Sequence, residues 1–390
     1  MSDHEHRPAA SPLAGEGATT EGASKGTGEV AMRAMANRTP GPIVVNRDVE
    51  MAWSGFNTFM KVPVCLTPED LRVGEIDIAV GGAPWEGTAT GRTGTHLGPR
   101  AIRECDYLGT YVDRHHLDVR VSPFEHLKVA DYGDCDVLIG QTDRTYEEIK
   151  KFTAEILSGG ATPIILGGDH GITWPVATAV ADHYGHGKVG IVHFDAHADT
   201  APDMRGALAG HGTPMRRLIE SGAVPGKNFV QVGLRGYWPE PPILEWMEEN
   251  QMRTHFMAEI RKDGFDTVLE RALDEALDSA DHLYISVDVD VADPAHAPGT
   301  GTPEPGGLTT VEVLRMVRRL AAEVGMVGMD VVEVSPPYDV GNNITALFAH
   351  RVVLEAITGT AMRKIGLTQP DYIDPRAAGP GHARPFRQKD

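Results

Sequence analysis

Three apolar runs in this sequence end in acids and imidazoles. Residues 189–194 lead into Asp195, His197 and Asp199, residues 283–287 into Asp288 and Asp290, and residues 162–166 through a glycine pair into Asp169 and His170. In extended chain, side chains two positions apart project to the same side. Asp195, His197 and Asp199 can therefore converge, as can Asp288 and Asp290. An aspartate after a strand is often a turn former or helix cap, and a histidine beside a glycine pair is often structural. The combination argues against that plainer account. Four buried carboxylates at one sheet edge repel unless neutralised, and two divalent cations match four aspartates in formal charge. Carboxylates mixed with imidazoles suit Mn(II), Ni(II), Fe(II) or Zn(II) better than Ca(II), and the lack of Cys ligands argues against a structural zinc.

Gathering those ends at one edge requires a parallel sheet. Strand candidates at 76–80, 162–166, 189–194, 228–232, 283–287 and 325–332 are near-continuous Val/Ile/Leu runs separated by helical patterns. Between 143 and 157, Tyr146, Ile149, Phe152 and Ile156 fall at helical spacing, and Gly159-Gly160 ends the helix. Thr309 and Glu312 form a capping-box signature ahead of Leu314, Val317 and Leu320. The pattern predicts an α/β fold, a three-layer α/β/α arrangement with a central, mostly parallel sheet covered on both faces. Ligands gather at the carboxyl ends of such strands.

Composition narrows the function. The 390 residues carry 36 Lys+Arg against 55 Asp+Glu, a net charge of −19, which repels a phosphate backbone or an anionic membrane surface. Nucleic acid is therefore not an expected partner. No apolar run is long enough to span a bilayer. Cys65, Cys105 and Cys135 have no metal-type spacing and read as free thiols in a reducing, cytoplasmic setting. Residues 1–40 hold no aromatic residue and no Ile, so the sequence predicts a disordered tail there, one domain over 41–368, and a Pro/Arg-rich tail over 369–390 that drapes over a surface or forms an oligomer arm.

Longer motifs then resemble a known family, the ureohydrolases: arginase, agmatinase, guanidinobutyrase and relatives. They are GGDH at 167–170, HFDAHAD at 193–199, HGTP at 211–214, SVDVDVADP at 286–294, GTGTPEPGGL at 299–308 and MDVVEVSP at 329–336. GFNTFMKVP at 55–63 and GPRAIR at 98–103 are similar to the agmatinase and guanidinobutyrase branch. The resemblance implies an arginase-like fold and two divalent metal ions per subunit, Mn(II) by family and Ni(II) as the alternative. His170, Asp195, Asp199 and Asp288 would hold one ion; His197, Asp195, Asp288 and Asp290 the other, with Asp195 and Asp288 bridging. Glu333 would hold the guanidinium group, His211 would shuttle protons, and Asp199 would take a proton from the attacking water. The implied reaction cleaves the guanidino C–N bond of a small guanidino compound, releasing urea and an amine, in a homotrimer or homohexamer. Alternatives are a hydrolase of guanidine itself or a biguanide, possibly nickel-dependent, and an inactive partner subunit of a hetero-oligomer.

The sequence departs from the family's pattern at Trp85, Glu86, Thr95 and His96, and these positions are expected to border the substrate. Between Asp199 and His211 only Thr200, Asp203 and Arg205 are polar. Polar recognition of an α-amino acid needs more partners than that, so arginine is not the expected substrate. Arg205 would face the carboxylate of a substrate such as 4-guanidinobutyrate, and Tyr237 and Trp238 could wall the pocket.

Overall fold

The computed structural model describes residues 38–47, 51–341 and 343–379. The chain divides into Met1–Pro40 and Gly41–Asp390. Almost all of the expected N-terminal tail, and the C-terminal tail from 380 onward, lie outside the described residues.

The second unit is built on one eight-stranded sheet: β1 Ile78–Ala83, β2 Val129–Asp134, β3 Thr162–Gly167, β4 Val189–Phe194, β5 Phe229–Val232, β6 Arg253–His255, β7 His282–Asp288 and β8 Gly328–Val332. Its order is β2-β1-β3-β8-β7-β4-β5-β6, and every strand pair is parallel. Apolar side chains alternate between two cores. Val192, Phe194, Ile285, Val287, Met329 and Val331 face one, while Val189, Ile191, Tyr284 and Val332 face the other. Helices cover both, giving the three-layer α/β/α architecture the patterning predicts. The helix Thr142–Ser158 buries Tyr146, Ile149, Phe152 and Ile156 as their spacing requires. Thr309 and Glu312 form a complete capping box at the start of Thr310–Arg319.

Two strands escape the sequence pattern. β2 reads VADYGD and β6 is the three-residue RTH, so neither shows a continuous apolar run. β1 begins at Ile78 rather than 76 and continues past 80 through Gly81 and Gly82 to Ala83. A Cβ on Gly81 would stand 2.5 Å from the Phe152 ring, so glycine lets the helix Thr142–Ser158 close on the sheet. The described part of the C-terminal segment lies against the domain: Asp371 pairs with Arg315 at 2.7 Å, and the Asp374 N–H donates to the Asp118 carbonyl at 2.9 Å.

The chain fills the sheet out of order. After β3 it crosses to β4 and leaves a gap that β7 and β8 close later. The carboxyl ends of β3, β8, β7 and β4 thus stand side by side at a topological switch point, where open α/β sheets bind ligands.

Candidate active site

Each of those four strands delivers a functional group. β3 continues through Asp169 into a single helical turn, His170–Ile172. Asp195 follows β4, Asp288 ends β7, and Glu333 follows β8. All four side chains are essentially inaccessible to solvent.

His170 is the centre of the first group. Its Nδ1 lies 3.0 Å from Asp195 Oδ2, 2.9 Å from Asp199 Oδ2 and 3.3 Å from Asp288 Oδ2, yet makes no hydrogen bond of acceptable geometry. Its other nitrogen explains why. With Asp330 ionised, Tyr284, Ser286 and Thr173 all donate hydroxyls to it, at 2.6, 2.7 and 2.8 Å. Ser286 Oγ, having given its proton to Asp330, accepts the Nε2–H of His170 at 3.0 Å. The inferred tautomer leaves the Nδ1 lone pair aimed among three carboxylate oxygens. One lone pair and three anionic oxygens converging on a point fit a divalent cation.

Asp195 joins this group to a second. Its Oδ1 lies 3.4 Å from His197 Nδ1, which is 3.1 Å from Asp290 Oδ2, and Asp195, His197 and Asp290 form a further set able to hold a metal ion. Asp288 reaches the first group with Oδ2 while its Oδ1 accepts the Asp290 N–H at 2.8 Å. The electrostatics express an unmet demand for positive charge. Burial pushes the Asp288 carboxyl well above its ordinary range, and Asp290 and Asp195 push it further. Burial opposes charging His170, but Asp199, Asp195 and Asp288 outweigh it and raise that imidazole well above its usual value. Cations at the two groups would satisfy the carboxylates without protons.

Glu333 and His211 stand beside the metal-type groups. Glu333 Oε1 accepts the His170 backbone N–H at 2.9 Å and faces His211 Nδ1 at 3.1 Å. Its Oε2 is buried without a hydrogen-bond partner among the described residues. Glu333 and Asp199 both hold positive φ, 65° and 53°, a conformation non-glycine residues adopt at a cost. Burial lowers the His211 pKa, but the hydrogen bond and charge of Glu333 raise it further, to about 9.

Comparison with known proteins places the chain in a family. A family model described as the arginase family matches residues 76–359. The chain belongs to the arginase family. It is 37% identical over 324 residues to a guanidinopropionase from Pseudomonas aeruginosa, covering 83% of this chain and 96% of that one. It is 36% identical to the mitochondrial agmatinase of Gallus gallus, covering 78% and 85%. Among solved structures, proclavaminate amidino hydrolase from Streptomyces clavuligerus superposes with a TM-score of 0.71 at 32% identity, covering 80% of this chain and 99% of that one. As an arginase-family chain it is a metal-dependent amidino hydrolase.

Beneath the strand-end groups lies a polar row that the sequence reading overlooked. Asp330, Ser286, His193, Gln231 and Thr254 stand in register across β8, β7, β4, β5 and β6. His193 is close enough to be counted with His170, Asp195 and Asp199 as a possible ligand. Its bonding indicates otherwise. Gln231 donates its amide to His193 Nδ1 at 3.0 Å and to the Ala198 carbonyl at 2.9 Å, so His193 carries its proton on Nε2 and gives it to Asp195 Oδ2 at 2.9 Å. His193 orients Asp195. The available signal was a single polar residue inside the apolar runs of β4, β5, β7 and β8, since an uncompensated polar group there costs stability. Arg235 was also missed: its guanidinium reaches the carbonyls of Asp290 at 2.7 Å, Val291 at 3.1 Å and Glu304 at 2.6 Å, tying down the loop that follows the β7 acids.

A cavity of about 460 Å³ opens above the strand ends. His170, His197, Asp199, His211, Asp288 and Glu333 form its floor; Ala201, Pro202, Asp203, Met204, Trp238, Glu240 and Ile243 stand around it. Several expectations for this rim fail. Arg205 is exposed and does not line the cavity. Tyr237 projects fully into solvent, and only Trp238 forms a wall. Trp85 is packed in the core, Thr95 is buried, and Glu86 is turned to the Gly94 and His96 N–H groups at 2.6 and 3.1 Å. Those departures shape the loop that precedes 98–104, not the cavity wall.

Proposed function

We propose that this protein hydrolyses the guanidino C–N bond of a small guanidino compound whose far end is cationic or uncharged, agmatine being the pattern, to urea and an amine. His170, Asp195, Asp199 and Asp288 would hold one divalent ion; Asp195, His197 and Asp290, with Asp288 beside them, the other. Mn(II) or Ni(II) suits this mixed carboxylate and imidazole set. Divalent ions held there supply the positive charge that acidifies water toward a nucleophile at neutral pH.

The residues divide the remaining work. The buried Oε2 of Glu333 carries the reading: it is a carboxylate acceptor beside the metal-type groups to which no group among the described residues donates, His211 facing the other oxygen. A guanidinium accepted there is neutralised and its planar carbon held over the floor, a gain in both orientation and electrostatics. Asp199 takes a proton from the attacking water, and His211 exchanges protons with the site as the amine departs. In the rim, Asp203 and Glu240 are acids, and no Lys or Arg lines the cavity among the described residues. A guanidino acid would bring its carboxylate to a rim of like charge, whereas an ammonium tail would meet the two acids and the Trp238 face.

Urea release from agmatine, 4-guanidinobutyrate, arginine, guanidine and a biguanide, with protein loaded separately with Mn(II) and Ni(II), tests this reading. Agmatine is expected to give the highest kcat/KM. A guanidino acid or arginine in first place would overturn the rim argument.

A further inference from the structure

We propose that Thr90 is the proton-relay and positioning residue for His211, linking the active-site cavity to a second, solvent-facing cavity. The inference rests on the hydrolase reading above and concerns a residue that the metal-type groups do not touch.

The observation is geometric. His211 presents Nδ1 to Glu333 at 3.1 Å, and its Nε2 meets Thr90 twice: the Oγ1 at 2.7 Å and the backbone N–H at 3.2 Å. The backbone N–H can only donate. In the neutral ring, Nε2 is therefore the acceptor, and Nδ1–H points to Glu333. When the ring is charged, Nε2–H needs an acceptor, and Thr90 Oγ1 is in place to provide one. The one hydroxyl serves both protonation states of the histidine.

Position adds the route. Thr90 lines the active-site cavity and also a second cavity of about 890 Å³, bordered by Thr88, Gln141, Arg144 and Leu208. His211 is mostly covered, with 12% of its side chain accessible, while Thr90 is exposed. The loop that carries Thr90 is anchored two residues earlier: Thr88 gives its N–H and its hydroxyl to Asp169 Oδ2, both at 2.9 Å. Asp169 immediately precedes His170, so the relay loop and the strand-end floor share one anchor.

The proton balance uses this path. Hydrolysis of a guanidinium moves two protons from water to the departing nitrogen, and urea leaves neutral. One is passed by Asp199. The other goes through His211, which uses both ring nitrogens: Nε2 of the neutral ring takes the Thr90 hydroxyl proton, which water in the second cavity replaces; the charged ring gives its Nδ1–H to the departing nitrogen; Nδ1 then takes the second proton of the attacking water, and the Nε2–H returns through Thr90 to the second cavity, leaving the ring as it began. The charged groups facing His211 are Glu333, Asp199 and Asp169, and Thr90→Val leaves all three in place.

The test compares Thr90→Val and Thr90→Ser with the wild-type holoenzyme on its best guanidino substrate. Thr90→Val is expected to lower kcat about tenfold, less than the roughly 10²-fold or more supplied by an acid or base that meets the reacting atoms itself, with KM within about twofold. Added imidazole should restore part of that loss, and Thr90→Ser should stay near wild type. Nitrogen-15 spectra of labelled histidine give a readout independent of turnover: without the hydroxyl acceptor, His211 should lose its proton at a lower pH than in wild type. Unchanged kcat in Thr90→Val overturns the relay, as does a loss that imidazole does not restore and Thr90→Ser shares. If Thr90→Val fails to fold, the same spectra on Thr90→Ala decide, and an unmoved His211 titration rejects the role. A wild type that releases no urea from any guanidino compound defeats the hydrolase reading; an active wild type with an unaffected Thr90→Val defeats only the relay.

Discussion

The floor and the rim of the cavity are made differently. The floor carboxylates and His170 follow or end central strands, and the Asp330–Ser286–His193–Gln231 row holds two of the groups there: Ser286 bonds His170, and His193 bonds Asp195. The rim comes from the loop carrying Ala201 to Met204 and from the segment around Trp238, Glu240 and Ile243, where Asp203, Tyr237 and Glu240 are exposed. A reaction that needs several ligands placed to within a fraction of an ångström belongs on strands. Choice among substrates that share a guanidinium belongs on loops, which can change without disturbing the metal-type groups. The floor thus accounts for reaction class and the rim for the substrate's far end.

That division can be broken at several points. The largest effect is expected from Asp195→Asn, which removes a charge shared by both groups: activity should fall by about 10³-fold or more, together with metal content measured by elemental analysis. Retained metal with lost activity would take Asp195 out of the ligand set. Glu333→Gln should keep its metal and lower kcat/KM about 10²-fold or more, since the guanidinium loses its counter-charge. Ser286→Ala removes the acceptor that sets the His170 tautomer, and metal affinity should weaken by about 10–100-fold in equilibrium dialysis. The smallest effect belongs to the rim: Glu240→Gln should raise KM for agmatine by about threefold, the scale of an exposed charge pair, with kcat unchanged. A change in kcat instead would mean that floor and rim are not separable.

The same contrast governs what could be read in the sequence. His170, Asp195, His197, Asp199, Asp288 and Asp290 were legible because apolar strands end abruptly in them, and strand polarity forces those ends to one edge. Glu333 and His211 were reached through motif resemblance, and the structure brings them within 3.1 Å of each other. The polar row was hidden: a lone Ser286 or Gln231 in a strand acquires meaning only when register sets it beside its neighbours. The rim was least legible. Nothing in the type of Arg205 or Tyr237 says whether a loop turns it inward, and both turn out. β2 and β6 were missed for a related reason, since their pairing comes from neighbouring strands rather than from their own apolar runs.

The central claim is that one strand-end floor holds two metal ions that act together. Metal-free protein titrated with Mn(II), and in parallel with Ni(II), while bound metal and urea release from the best guanidino substrate are followed, tests it most directly. Activity should rise to a plateau as the bound metal reaches two ions per chain. Full activity at one ion per chain, with a second equivalent neither bound nor required, would contradict it.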